Sequence, residues 1–169
     1  MQVEGPDRFT LSINPGGSPP FEVRDVNGAT RFSGRAASRL PKLYVVTAGA
    51  LPIYVGITRQ SMRARLRYGW SASGQGGYHG YPFRDHHTEA TLDVWYQVDP
   101  PVKSERPEVD IETVEAELVY LVRQHGQWPE FQTEIHFHPS DAGHRAIAET
   151  IWSHYRPPHA IASALKPSR

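Results

Sequence analysis

Short apolar runs and one clear helical stripe give the chain its rhythm. Residues 43–46 (LYVV) and 53–55 (IYV) are β-rich, and TAGALP between them is a connection suited to antiparallel neighbours. From Ser61 the period lengthens. Met62 and Leu66 form an i,i+4 apolar pair among the helix formers Arg63, Ala64, Arg65 and Arg67, Ser61 is suited to cap the start, and Gly69 is expected to end the helix. Residues 91–98 (TLDVWYQV) predict a third strand. The strongest helix is expected over 111–124, with Asp110 as N-cap and Ile111, Val114, Leu118, Leu121 and Val122 along one face. Beyond it, 133–138 (TEIHFH) reads as a strand candidate and DAGHRAIAETIWSHY as an amphipathic helix beginning near Asp141.

Turn chemistry fills the intervals. NPGGSPP starts at Asn14, and Asn27-Gly28 between FEVRDV and ATRF has the residues of a hairpin turn. GWSASGQGGYHGYPF is too rich in glycine for regular structure, and its aromatics predict an ordered surface loop, while PPVKSERPEVD reads as a connector. The expected fold is α/β of the α+β type, a small three-stranded antiparallel sheet flanked by helices. An N-terminal extension over 1–40 packs on a core of 41–156 that ends in a C-terminal helix, and a proline-rich tail occupies 157–169. A length of 169 residues suits one such domain.

Composition narrows the setting. The absence of cysteine excludes a disulfide framework and a thiolate metal site, and the N-terminus MQVEGPDRF lacks an apolar signal core, so a cytoplasmic location is expected. Net charge is zero but unevenly laid out. No Asp or Glu occurs from Val26 to Arg84, where Arg31, Arg35, Arg39, Lys42, Arg59, Arg63, Arg65, Arg67 and Arg84 all fall, whereas Asp85 to Glu134 is strongly acidic. Such segregation can present a basic face to a polyanion, or simply neutralise itself when the halves pack.

The order of two strands, an arginine-bearing helix, a third strand and a glutamate-bearing helix resembles the GIY-YIG nuclease family. Leu43-Tyr44 stands at its first motif, with Lys42 in place of the usual glycine; Tyr54-Val55-Gly56 matches the second, followed by Thr58. Arg65, three residues after Met62, fits the helix arginine, and Glu115-Ala116 begins a helix leading to Trp128-Pro129-Glu130-Phe131-Gln132, with Gln132 at the family's asparagine position. Stepping round that helix places Glu115 nearer the apolar face than Glu117, while Glu112 is expected to point into water.

What the resemblance implies is a metal-dependent endonuclease acting on DNA in preference to RNA. Glu115 would hold Mg²⁺ or Mn²⁺, Arg65 would clamp phosphate with its planar fork, and Tyr44 and Tyr54 would activate the nucleophile, the division of labour between them open. Arg59, Arg63 and Arg67 would hold the nucleic-acid backbone, with Lys42, Gly56, His79 and Gln132 as further substrate-side residues. Two other readings stand beside it. One is a non-catalytic nucleic-acid-binding module on the same fold; the other is a zinc hydrolase drawing on His136, His138 and the His86-His87 pair.

Overall fold

A computed structural model describes residues 1–75, 78–99, 108–132 and 134–156. Its centre is a five-stranded, wholly antiparallel sheet built from β1 (Val3–Ile13), β2 (Phe21–Asp25), β3 (Lys42–Ala48), β4 (Leu51–Thr58) and β5 (Glu89–Gln97), in the order β2-β1-β5-β3-β4. The α+β class is as expected, but the sheet has five strands rather than three. The two extra strands come from the N-terminal segment, which joins the sheet edge to edge. Phe9, Leu11 and Ile13 alternate along β1 and are buried, so this strand is held by a packed face as well as by its pairing with β5.

NPGGSPP joins β1 to β2, and it is this hairpin that forms. The Asn27-Gly28 turn is real, with Gly28 at φ +85° and the Asp25 amide donating to Ala29, but ATRF makes no strand. β3 and β5 are central strands covered on both faces, which is why LYVV and VWY read as continuous apolar runs.

The sheet separates two cores. On one face Tyr44, Val46, Tyr54, Leu92 and Val94 meet α1 (Gly34–Ala37), α2 (Met62–Ser71) and the short 3₁₀ turn Pro82–Asp85. On the other, Leu43, Val45, Val55 and Trp95 pack against α3 (Val109–Gln124) and α4 (Ala142–Trp152). Gly69 does not end α2. It is buried within it, and a Cβ there would lie 2.2 Å from Cε2 of Tyr81, so the missing side chain lets the Tyr81 ring close on the helix.

Helix α3 starts after Glu108, which leaves Asp110 in its first turn instead of at the cap. Asp141 does cap α4, accepting from the His144 amide at 3.0 Å. The α4 end is tied to the sheet through Asp93, a fully buried carboxylate bound by Arg8 Nε at 2.7 Å and by the Tyr155 hydroxyl at 3.0 Å. Residues 134–138 of TEIHFH form no strand. The stretch 100–107, Thr133 and the tail 157–169 lie outside the described residues, as does the Gly76-Gly77 pair of the loop. Among the described residues no helix is long and apolar enough to cross a membrane.

Candidate active site

The site begins with a register. β3 and β4 pair Tyr44 with Gly56 and Val46 with Tyr54, placing both tyrosines on one face of the sheet with their rings stacked at 6.0 Å between centroids. Gly56 is required by this packing. A Cβ at that position would stand 2.6 Å from Oη of Tyr44 and 2.8 Å from Cε1 of Tyr54. The glycine of Tyr-Val-Gly is thus the recess over which the Tyr44 ring lies.

Helix α2 delivers Arg65 to the same spot. Ser61 caps it as expected, its hydroxyl accepting from the Ala64 amide at 3.3 Å, and Met62 and Leu66 anchor it in the core. Arg65 Nε then donates to the Tyr44 hydroxyl at 3.0 Å. Its terminal nitrogens make no hydrogen bond or ion pair among the described residues, so the outer half of the fork is left for an anion. The guanidinium also lies over the ring of Tyr78 at 5.2 Å.

Tyr81 is a member that motif reading missed. It is fully buried, and its hydroxyl shares a hydrogen bond with Tyr44 at 3.0 Å. Two features signal it in hindsight: a tyrosine in a glycine-rich loop that stays ordered, and a glycine inside a helix, at 69, that needs a bulky neighbour.

Glu115 arrives from the opposite side. Helix α3 packs on the far face, against the edge strand β4, and its Glu115 couples electrostatically to Arg65 and Tyr54. The carboxyl is held high, to about 8, first by burial and then by the charge of Glu112, while the positive charge of Arg65 pulls it down. Glu115 in turn raises Tyr54, a smaller contribution than burial and Tyr44. These couplings place carboxyl, guanidinium and phenol within electrostatic reach of one another. Tyr54 and Glu115 each keep 5% of their surface exposed, and neither side chain makes a hydrogen bond among the described residues. Their polar ends are therefore not taken up by a protein partner there.

Both phenols are shifted well above their ordinary value, chiefly by burial. For Tyr44 the pull of Arg65 is weaker than burial and the neighbouring Tyr81, so its hydroxyl keeps its proton and links Arg65 to Tyr81.

Gln132 makes a scaffold bond at the edge of β4. Its Oε1 accepts from the Val55 amide at 2.9 Å and its Nε2 donates to the Glu134 carbonyl, while the Phe131 amide bonds the Ile53 carbonyl, closing the β4 edge beside the site. Gln132 thus holds the second motif strand in place.

Other expected contacts fall elsewhere. Lys42 is completely buried, and its ammonium donates to the carbonyls of Ser38, Leu40 and Gln60. Burial lowers it to about 8, still charged at neutrality, but all three protons serve the backbone and none is left for phosphate. Arg59 faces Glu108 at 4.0 Å. Arg63 and Arg67 are exposed and leave α2 roughly 160° round the helix from Arg65, on another side altogether. His79 is exposed in the loop, its ring against Gly74.

Glu112 is buried rather than solvated, and His138 Nε2 bonds its carboxylate at 2.6 Å. His136 lies 3.3 Å from Glu134, and His86 and His87 pack on Phe131. Among the described residues no three His, Asp or Glu converge as a metal-binding group, so the histidine-based zinc site has no ligand set here. A hard ion that keeps most of its waters needs fewer protein ligands. One carboxyl without a protein partner, in electrostatic reach of an arginine, fits Mg²⁺ or Mn²⁺, which keep open positions for further ligands. No protein-family model matches the chain, and neither a curated protein nor a solved structure is significantly similar to it.

Proposed function

We propose that the chain is a metal-dependent endonuclease that hydrolyses phosphodiester bonds of DNA with GIY-YIG-type chemistry. The observation that carries this reading is the grouping of Tyr44, Tyr54, Arg65 and Glu115, far apart in sequence, with an unpaired buried carboxyl in electrostatic reach of the Arg65 fork. Such a group set suits a phosphate: a permanent charge for the phosphoryl oxygens, a carboxylate for a hard cation, and a phenol to orient a nucleophile.

When bound, the divalent ion would supply charge neutralisation at the phosphate and leaving oxygen. Glu115 would hold it in deprotonated form. Arg65, fixed by Tyr44, would present its terminal nitrogens to the phosphoryl oxygens. Tyr54, whose hydroxyl has no protein partner among the described residues, is better placed than Tyr44 to contact the attacking water.

A non-catalytic binding module is favoured by one observation, the complete burial of Tyr44 with both its hydrogen bonds taken up inside the protein. Conversion of supercoiled plasmid with Mg²⁺ separates the two. Wild type is expected to nick or cut, and Arg65→Ala to lose about 100-fold or more in rate. Absence of cleavage, or equal cleavage by both proteins, would favour the binding module.

A further inference from the structure

On the side of α2 turned away from Arg65 lies a groove of about 1030 Å³, walled by the β1–β2 hairpin and by the arginines of the helix. We infer that this groove binds an unpaired nucleic-acid strand, its phosphates on Arg31, Arg63 and Arg67 and a base on the Phe21–Trp70 floor. The inference rests on the nuclease reading for its purpose, since it names the form of substrate brought to that site: DNA with a single-stranded segment next to the scissile bond.

Charge and shape choose the occupant. Arg31, Arg63 and Arg67 are exposed, and among the described residues none of them makes a hydrogen bond or an ion pair. Arg84 lines the groove too, but its guanidinium is spent on the carbonyls of Gly69 and Trp70 and on Asp85 at 3.8 Å. Glu22 is the remaining acid of the lining, so the wall stays net positive. Three cations without partners are costly to gather on one wall unless an anion is to be met there.

The floor is aromatic. The Phe21 and Trp70 rings lie 4.6 Å apart, tilted by 35°, both partly exposed. A base that is already unstacked can lie on such a surface, whereas bases within a duplex are occupied with each other. The volume is at the upper end of small-molecule sites, room for roughly two nucleotides and not for a double helix. Trp70 also touches Tyr81 at 5.6 Å, and Tyr81 bonds Tyr44, so groove and site share one aromatic wall through α2.

The test is binding of a fluorescein-labelled oligo-dT ten-mer to the full chain in EDTA, against the same strand annealed to oligo-dA. Tighter binding of the single strand is expected, with Arg31→Glu and Phe21→Ala each weakening it roughly 5- to 100-fold. Arg31→Ala should reduce the slope of log affinity on log salt by about 0.7. Because Arg31 is exposed and outside every strand and helix, its variants keep the test open if Phe21→Ala fails to fold. The inference is overturned if duplex binds as well as single strand, if heparin competes as effectively as oligo-dT, or if the Arg31 variants bind like wild type. Groove-dependent oligo-dT binding without Mg²⁺-dependent cleavage of any substrate would sink the nuclease reading and leave the groove standing. Cleavage lost in Arg65→Ala with oligo-dT binding indifferent to Arg31 and Phe21 would do the reverse.

Discussion

At the scale of single residues, Gly56 shows how the site depends on what is absent. Gly56 has no unusual backbone angle, so the effect of Gly56→Ala is steric alone: its Cβ meets the hydroxyl end of Tyr44, a ring fixed in the core, at 2.6 Å. This variant should lose about 1–3 kcal/mol of stability in a denaturant melt, and cleavage should fall further than stability because the Tyr44–Arg65 bond is displaced. Unchanged melting and activity would mean that Tyr44 is not seated over Gly56. Lys42 shows the converse. A lysine in this basic stretch suggests a phosphate contact, yet the fold uses it as a buried knot for three carbonyls. A side-chain charge is legible in the sequence, but the carbonyls waiting for it are not.

Among the elements, those with a strong local signal were legible: β3, β4, β5, α3 and α4 all lie close to the expected positions, and the Ser61 and Asp141 caps form. The first strand was hidden by Gly5-Pro6, which reads as a turn, although Phe9, Leu11 and Ile13 alternate with the period of a strand. Asn27-Gly28 identified a turn without saying what it joins, since turn chemistry is local and pairing is not. TEIHFH alternates like a strand but finds no edge, because Phe131 and Gln132 already occupy that of β4. Glu112 points inward for a related reason: a helical wheel knows only its own helix, and here His138 bonds the Glu112 carboxylate from outside it. The Gln132 bond supports a further test. Gln132→Leu leaves the Val55 amide without its acceptor and should cost roughly 1–3 kcal/mol, with faster hydrogen exchange at Val55. Exchange as slow as in wild type would show that the β4 edge does not depend on this side chain.

Across the whole molecule, the sheet keeps two halves of the site on opposite faces, with α3 packed against the edge strand β4. The groups contributed by the strands and α2 were individually legible, but their electrostatic coupling to Glu115 depends on that packing, which only the topology reveals. Burial of Glu115 there has a consequence for folding. In metal-free protein its carboxyl titrates near 8 in the fold, against 4.5 for the ordinary group. Below about pH 4.5 both folded and unfolded chains hold the proton, and the stabilising difference is fully present. Between 4.5 and 8 the unfolded chain releases it while the fold retains it, so stability declines as pH rises and levels off above the folded value. The decline should amount to roughly 2–5 kcal/mol. Urea melts in EDTA should therefore find Glu115→Gln close to wild type at pH 4 and more stable at pH 8; parallel profiles would mean that the carboxyl is not buried as described.

The most direct measurement of the joint role of these groups is the rate of Mg²⁺-dependent plasmid cleavage by wild type, Glu115→Gln and Glu117→Gln, two glutamates two residues apart on α3 with different surroundings. Cleavage by wild type and by Glu117→Gln, with loss of about 100-fold or more in Glu115→Gln, is the predicted result. Undiminished cleavage by Glu115→Gln, or equal loss in both variants, would contradict it.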